Sequence, residues 1–185
     1  ERRRVSDAGI SFAWIDGPGI TDELWRFFTR CYGETYRLHH SSPYLNLDFF
    51  RQIGTLMPAN IVLMVASREG RRIAASLNIH NGHTLYGRYW GCVEYHPSLH
   101  FEACYYQVIE YCIARGITRF EGGAQGEHKM ARGLLPVETR SAHWLAHPQF
   151  AAAVEDFLDR ERRHVALHMD ELAERNPFRR DGGDA

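Results

Sequence analysis

The sequence predicts an α/β fold: a mixed sheet made of an antiparallel meander, a central crossover helix and a parallel strand, followed by a long C-terminal helix. Three observations predict it. Ile61-Val-Leu-Met-Val-Ala66 is an unbroken apolar run, the pattern of a strand covered on both faces. Asn81-Gly82 stands between two strand-like segments and signals a tight hairpin. Residues 84–90, 99–115 and 117–121 read strand, helix, strand, and such a unit is parallel and right-handed.

The elements follow in order. Residues 1–20 are charged, then rich in glycine and proline at Asp16-Gly-Pro-Gly19, which reads as a linker or edge arm. The chain opens on Glu1-Arg-Arg-Arg without a methionine, so it is expected to be part of a longer protein. Thr21 is a side-chain cap for a helix over 22–32 whose apolar stripe is Leu24, Phe27, Phe28 and Cys31. A second helix starts near Leu47 or Asp48, carries Phe49, Phe50 and Ile53, and stops at Pro58. In strand 84–90, alternation puts Leu85, Gly87 and Tyr89 on one face and Tyr86, Arg88 and Trp90 on the other. Indexed at about 100° per residue, Phe101, Tyr105, Val108, Ile109, Cys112 and Ile113 share the core face of helix 99–115. Gly116 ends that helix, because glycine tolerates the left-handed position beyond the C-cap. Residues 141–145 read as a further strand, and Pro148 opens an amphipathic cover helix reaching about Glu174. The expected layout is an arm over 1–20, a main α/β domain over 21–147, a helix over 148–176 packed on it, and a tail over 177–185.

Composition narrows the classes. With 185 residues the chain suits one domain or slightly more, and a formal charge of −1 gives no bulk attraction to nucleic acid or an anionic membrane. No apolar run reaches the roughly 18–20 residues needed to span a bilayer, and no signal peptide is visible. Cys31, Cys92, Cys104 and Cys112 have no zinc-like spacing and read as reduced thiols, so a cytoplasmic location is expected.

Polar residues able to do chemistry gather between Tyr86 and Pro136: Glu102, Glu121, Glu127, His128, Lys129 and Arg132. In sheets of this kind ligands sit beyond the carboxyl ends of the strands, where Glu121 and Gly122-Gly-Ala-Gln-Gly126 lie. The order of elements resembles an acyltransferase of the GNAT superfamily. The blocks Tyr86-Gly-Arg-Tyr-Trp-Gly91, Leu99-His-Phe-Glu102, Gly123-Ala-Gln-Gly-Glu-His-Lys129 and Arg132-Gly133 with Pro136 resemble the bacterial FemAB-like N-acyltransferases, linked to peptidoglycan. The resemblance implies two GNAT-type halves in tandem, this chain being the second, with the first half as its partner. It also implies transfer of an acyl or aminoacyl group to an amine on a small molecule or cell-wall precursor. GNAT enzymes that use acyl-CoA usually hold its pyrophosphate with a glycine-containing loop before the central helix. Here Val93-Glu-Tyr-His-Pro-Ser-Leu99 has no glycine, so acyl-CoA and aminoacyl-tRNA both stand as donors and tRNA is a candidate partner.

Acyl transfer to an amine needs a base, oxyanion stabilisation and a proton for the leaving group. Glu121, Glu102 and His128 are the candidate catalytic residues. Arg88, Tyr89, Gln125, Lys129 and Arg132 are the candidate substrate-binding residues, with Tyr86 or Tyr89 able to protonate a leaving group. The strand residue Arg88 is expected to find a carboxylate in Glu102 or Glu121, and one cleft is expected to gather these groups. Two rival readings remain. His100, Glu102, Glu121, His128 and His143 could hold a metal, although they lack HxxxH or HExxH spacing and no metal is expected. His164 and His168, four apart on one helix, could do so by spacing alone. Alternatively, the chain is a binding module without catalysis.

Overall fold

The computed structural model describes residues 1–123 and 126–178. Its chain forms two compact units, Glu1–Ala124 and Gln125–Ala185. The first holds helix α1 (Arg2–Asp7), strand β1 (Ile10–Asp16), helices α2 (Asp22–Leu38) and α3 (Leu47–Leu56), and strands β2 (Ile61–Arg68), β3 (Arg71–His80) and β4 (Thr84–Cys92). The helical segments α4 (Leu99–Phe101) and α5 (Gln107–Arg115) and strand β5 (Arg119–Glu121) complete it.

The five strands lie in the order β1-β2-β3-β4-β5. The first four are antiparallel neighbours, and β5 joins β4 in parallel, as the strand–helix–strand reading requires. Residues 1–20, read as a linker or edge arm, thus supply a helix and the edge strand beside β2.

Local chemistry explains the boundaries. The Thr21 hydroxyl accepts the Leu24 amide at 3.3 Å, and the Asn46 side chain accepts the Phe49 amide at 2.9 Å. In the hairpin, Asn81 accepts the amides of His83 and Thr84 while Gly82 takes φ 84.

The sheet is covered on both faces, which is why β2 is apolar throughout. Ile61, Leu63 and Val65 pack with Phe28, Tyr32 and Phe50 of α2 and α3. Val62 and Met64 face Val108, Tyr111 and Cys112 of α5, and Ala66 lies with Leu99 of α4.

Two expectations about this unit change. Helix 99–115 is not one regular helix, because Glu102–Tyr106 is π-helical. The wider turn shifts the helical phase, so Ala103 and Tyr111 are buried and Ile113 is 76% exposed rather than in the core. Ser76 donates its hydroxyl to the Ala103 carbonyl at 2.8 Å, pairing a group within the irregular turn. In β4, Leu77 pairs with Tyr89 and Asn78 with Gly87, leaving Arg88 as an extra residue in a bulge. The bulge reverses the alternation. Leu85 faces α5, whereas Tyr89 faces α2 and α3, not the side shared with Leu85 and Gly87 that simple alternation predicts.

The second unit contains a 3-10 helix, Glu127–Arg132, between the left-handed glycines Gly126 and Gly133, and helix α6, Pro148–Glu174. Residues 141–145, expected as a strand, are irregular. On α6, Leu172 is buried, and Phe150, Phe157, Val165 and Leu167 are exposed.

Candidate active site

β5 accompanies β4 only over Thr84–Tyr86. Beyond that pairing β4 continues through Gly87 to Cys92, and no described strand lies along its outer edge. The pairing therefore ends at Tyr86 and Glu121, where β5 itself ends and leaves the rest of the β4 edge open among the described residues. The bulge at Arg88 falls just past the end of this pairing.

Glu121 stands at this end of β5. Phe120 packs toward the α5 cluster, so the next residue of the strand turns to the α2 and α3 face. Glu121 is exposed, and its carboxylate makes no hydrogen bond or ion pair with a described residue. Tyr89 reaches the same face and meets Tyr32 and Phe50 at ring-centroid distances of 5.3 and 6.5 Å. Its hydroxyl lies 2.6 Å from that of Tyr44. Burial, then the Tyr44 bond, pushes the Tyr89 pKa up, so the phenol stays protonated. The Arg88 guanidinium sits 5.5 Å over the Tyr89 ring.

Glu102 occupies a different place. It is 4% exposed within the π-helical turn, and Arg2 of α1 binds its carboxylate at 3.0 Å. Gln107 donates to it at 2.8 Å, and Arg2 also meets Glu110 at 2.7 Å. These partners lie on the α5 side of the sheet. Glu102 and Glu121 thus face opposite sides of the sheet rather than one cleft, and the cation beside Glu102 is Arg2, not Arg88. The reason is the helix that carries Glu102, which crosses the face Glu121 turns away from. Sequence reasoning missed Arg2 and Tyr44. Arg2 stands a hundred residues from its partner with no local signal, while Tyr44, beside Pro43 in a polar loop, offered a weak one.

His128, Lys129 and Arg132 belong to the second unit, where Arg132 donates to the His128 carbonyl. His128 is exposed, and burial lowers the Lys129 pKa. Gln125 and the Glu127 side chain lie outside the described residues.

The segment before α4 also departs from an anion cradle. Glu94 is bound by His96 at 2.7 Å and by Arg68 at 3.3 Å, and these partners, His96 first, hold its pKa below the usual carboxylate range. Among the described residues no three His, Cys, Asp or Glu side chains group as metal ligands would. His164 and His168 stack at 6.5 Å on the exposed surface of α6. No described helix is long and apolar enough to cross a membrane.

Solved structures share this fold. An aminoglycoside acetyltransferase from an uncultured soil metagenomic sample, in complex with sisomicin, superposes with a TM-score of 0.50 at 10% identity, over 76% of this chain and 97% of that one. A possible acetyltransferase from Clostridium difficile 630 gives 0.52 at 11% identity, over 75% and 98%. At such identities the likeness is one of fold, the GNAT fold. No curated protein matches the chain. The profile of the FemAB-like family, described as peptidoglycan biosynthesis/recognition, matches residues 1–180, nearly the whole length. The parallel strand pair, the central helix and the sequence profile thus agree, and the chain belongs to the FemAB-like family.

Proposed function

We propose that this protein is an N-acyltransferase that moves an acyl or aminoacyl group to an amine acceptor in peptidoglycan metabolism. The observation that carries this reading is the open β4 edge beyond the end of β5, beside a bulge, with a carboxylate at that end that has no partner among the described residues. A donor's acyl carbonyl lying along the open edge of β4 meets backbone N–H groups held by the sheet. Such donors stabilise the oxyanion of a tetrahedral intermediate without reorganising during the reaction. Glu121 takes the proton from the incoming ammonium, and the free amine attacks the carbonyl carbon. Collapse of the intermediate expels the donor's thiolate or ribose oxygen, the Tyr89–Tyr44 hydroxyl pair supplies a proton to it, and the second proton lost by the attacking nitrogen restores that pair.

The family, the fold and the open edge of β4 support this chemistry, while the donor stays open between acyl-CoA and aminoacyl-tRNA. Residues 93–99 lack glycine and present Glu94, which favours a donor not held by a backbone pyrophosphate cradle there. The decisive variant is Glu121→Gln, tested in the protein with any preceding half it has in its natural chain. The amide keeps the shape and removes the base, so transfer falls roughly 10²–10⁴-fold while acceptor binding and the melting temperature hold. Unchanged turnover in that variant removes Glu121 from the mechanism.

A further inference from the structure

Two opposite charges near the end of β5 have no oppositely charged partner among the described residues. Arg2, Arg51, Arg68, Arg72 and Arg115 each hold a carboxylate within 3.3 Å. Arg88 holds none among the described residues. It is exposed, it is the extra residue of the β4 bulge, and its guanidinium is braced over the Tyr89 ring. Glu121, two positions along from Arg88 in the register set by Tyr86, is equally unpaired. The two do not pair with each other. A charge left uncompensated by its own protein is available to a ligand, and a guanidinium is suited to a carboxylate, which it can bind through two parallel N–H groups. Beside Arg88 lies the Tyr44–Tyr89 hydroxyl pair, where one hydroxyl donates to the other and the second proton is free for an acceptor oxygen.

We propose that Arg88, with the Tyr44–Tyr89 pair, forms a subsite for a carboxylate on the amine acceptor, so that the acceptor is an amino acid or peptide presenting its amine to Glu121 and its carboxylate to Arg88. This rests on the acyl-transfer reading and adds the class of acceptor. It makes Arg88 a specificity-determining residue rather than a structural one, because the bulge that displaces it from the ladder also leaves it without a carboxylate partner among the described residues.

The test compares matched acceptors that differ only in the carboxylate: glycine, β-alanine and glycylglycine, each against its own carboxamide, with acetyl-CoA and with aminoacyl-tRNA as donors. Wild-type kcat/KM favours the free acids by roughly 10–100-fold, the weight of a hydrogen-bonded charge pair, and the preference lies mainly in KM. In Arg88→Gln the ratio of acid to amide falls to about one, and Arg88→Lys keeps part of it. Arg119→Gln, an exposed arginine at the start of β5, leaves the ratio unchanged. Equal rates on acids and amides in the wild type overturn the subsite while leaving acyl transfer standing. If no amine is acylated from either donor, the acyl-transfer reading fails, and calorimetric titration with the same pairs then decides the subsite. Tighter binding of acids than amides, lost in Arg88→Gln, supports it, and equal binding overturns it.

Discussion

His80 at the end of β3 shows how one side chain sets a pH dependence. Its Nδ1 is buried without a hydrogen-bond partner among the described residues, and its ring lies 6.1 Å from Tyr111. Burial lowers its pKa below the ordinary 6.5, Arg115 adds to that, and Asp16 opposes it. A base whose folded pKa is depressed binds its proton more readily when unfolded, so unfolding takes up a proton. The stability is therefore fully present above 6.5 and declines as pH falls through that value toward the folded pKa. Melting temperature should drop over this window, and His80→Gln should flatten that part of the profile. An unchanged slope in the variant assigns the acid sensitivity elsewhere. Glu102 is a contrasting case at the same scale: a buried carboxylate answered by Arg2 and Gln107, where a cut partner leaves a charge unpaired in the interior.

At the scale of elements, the seat of α2 on β4 depends on one missing side chain. A Cβ on Gly91 would overlap the backbone carbonyl of Cys31, so only glycine lets the helix approach this closely. The Thr35 hydroxyl then reaches the Trp90 carbonyl at 2.8 Å and ties the helix to the strand. Gly91→Ala must push α2 away and loosen the aromatic packing around Phe50, where Trp25, Phe28, Tyr32 and Tyr89 meet. A loss of about 1–3 kcal/mol is expected from overpacking against backbone, measured as a lower denaturant midpoint at constant slope. A neutral substitution would mean that the helix shifts freely, and the orientation of Tyr89 would then not depend on it.

The whole molecule comprises two compact units. Among the described residues, every strand pairing and all three apolar clusters fall within the first unit. A chain ending after Ala124 is therefore expected to keep its sheet and to unfold cooperatively, as followed by far-ultraviolet circular dichroism on heating. Absence of a cooperative transition would show that the second unit is needed for the first to fold. The same chain lacks His128, Lys129 and Arg132. If those groups serve the reaction, turnover is lost while the melt survives, and retained turnover excludes all three.

The elements readable in the sequence have local causes. The apolar run of β2, the Asn81-Gly82 hairpin, the Thr21 cap and the Gly116 stop each act within a few residues, and each sits where its local chemistry puts it. The parallel strand pair followed from chain geometry, since a crossover helix joins strands that run the same way. Glu121 was legible as a candidate because strand ends in such sheets open onto ligand sites. Tertiary structure decided the rest. A bulge at Arg88 turned Tyr89 to the other face, and a π-helical turn moved Ile113 out of the core. Periodicity is a rule of regular elements: one extra residue in a strand reverses its prediction, and a widened helical turn shifts it, so that Val108 and Cys112 keep their core places while Ile113 loses its own. The pairings of Arg2 with Glu102 and of Tyr44 with Tyr89 also needed the fold, because only packing brings together side chains so far apart in the chain.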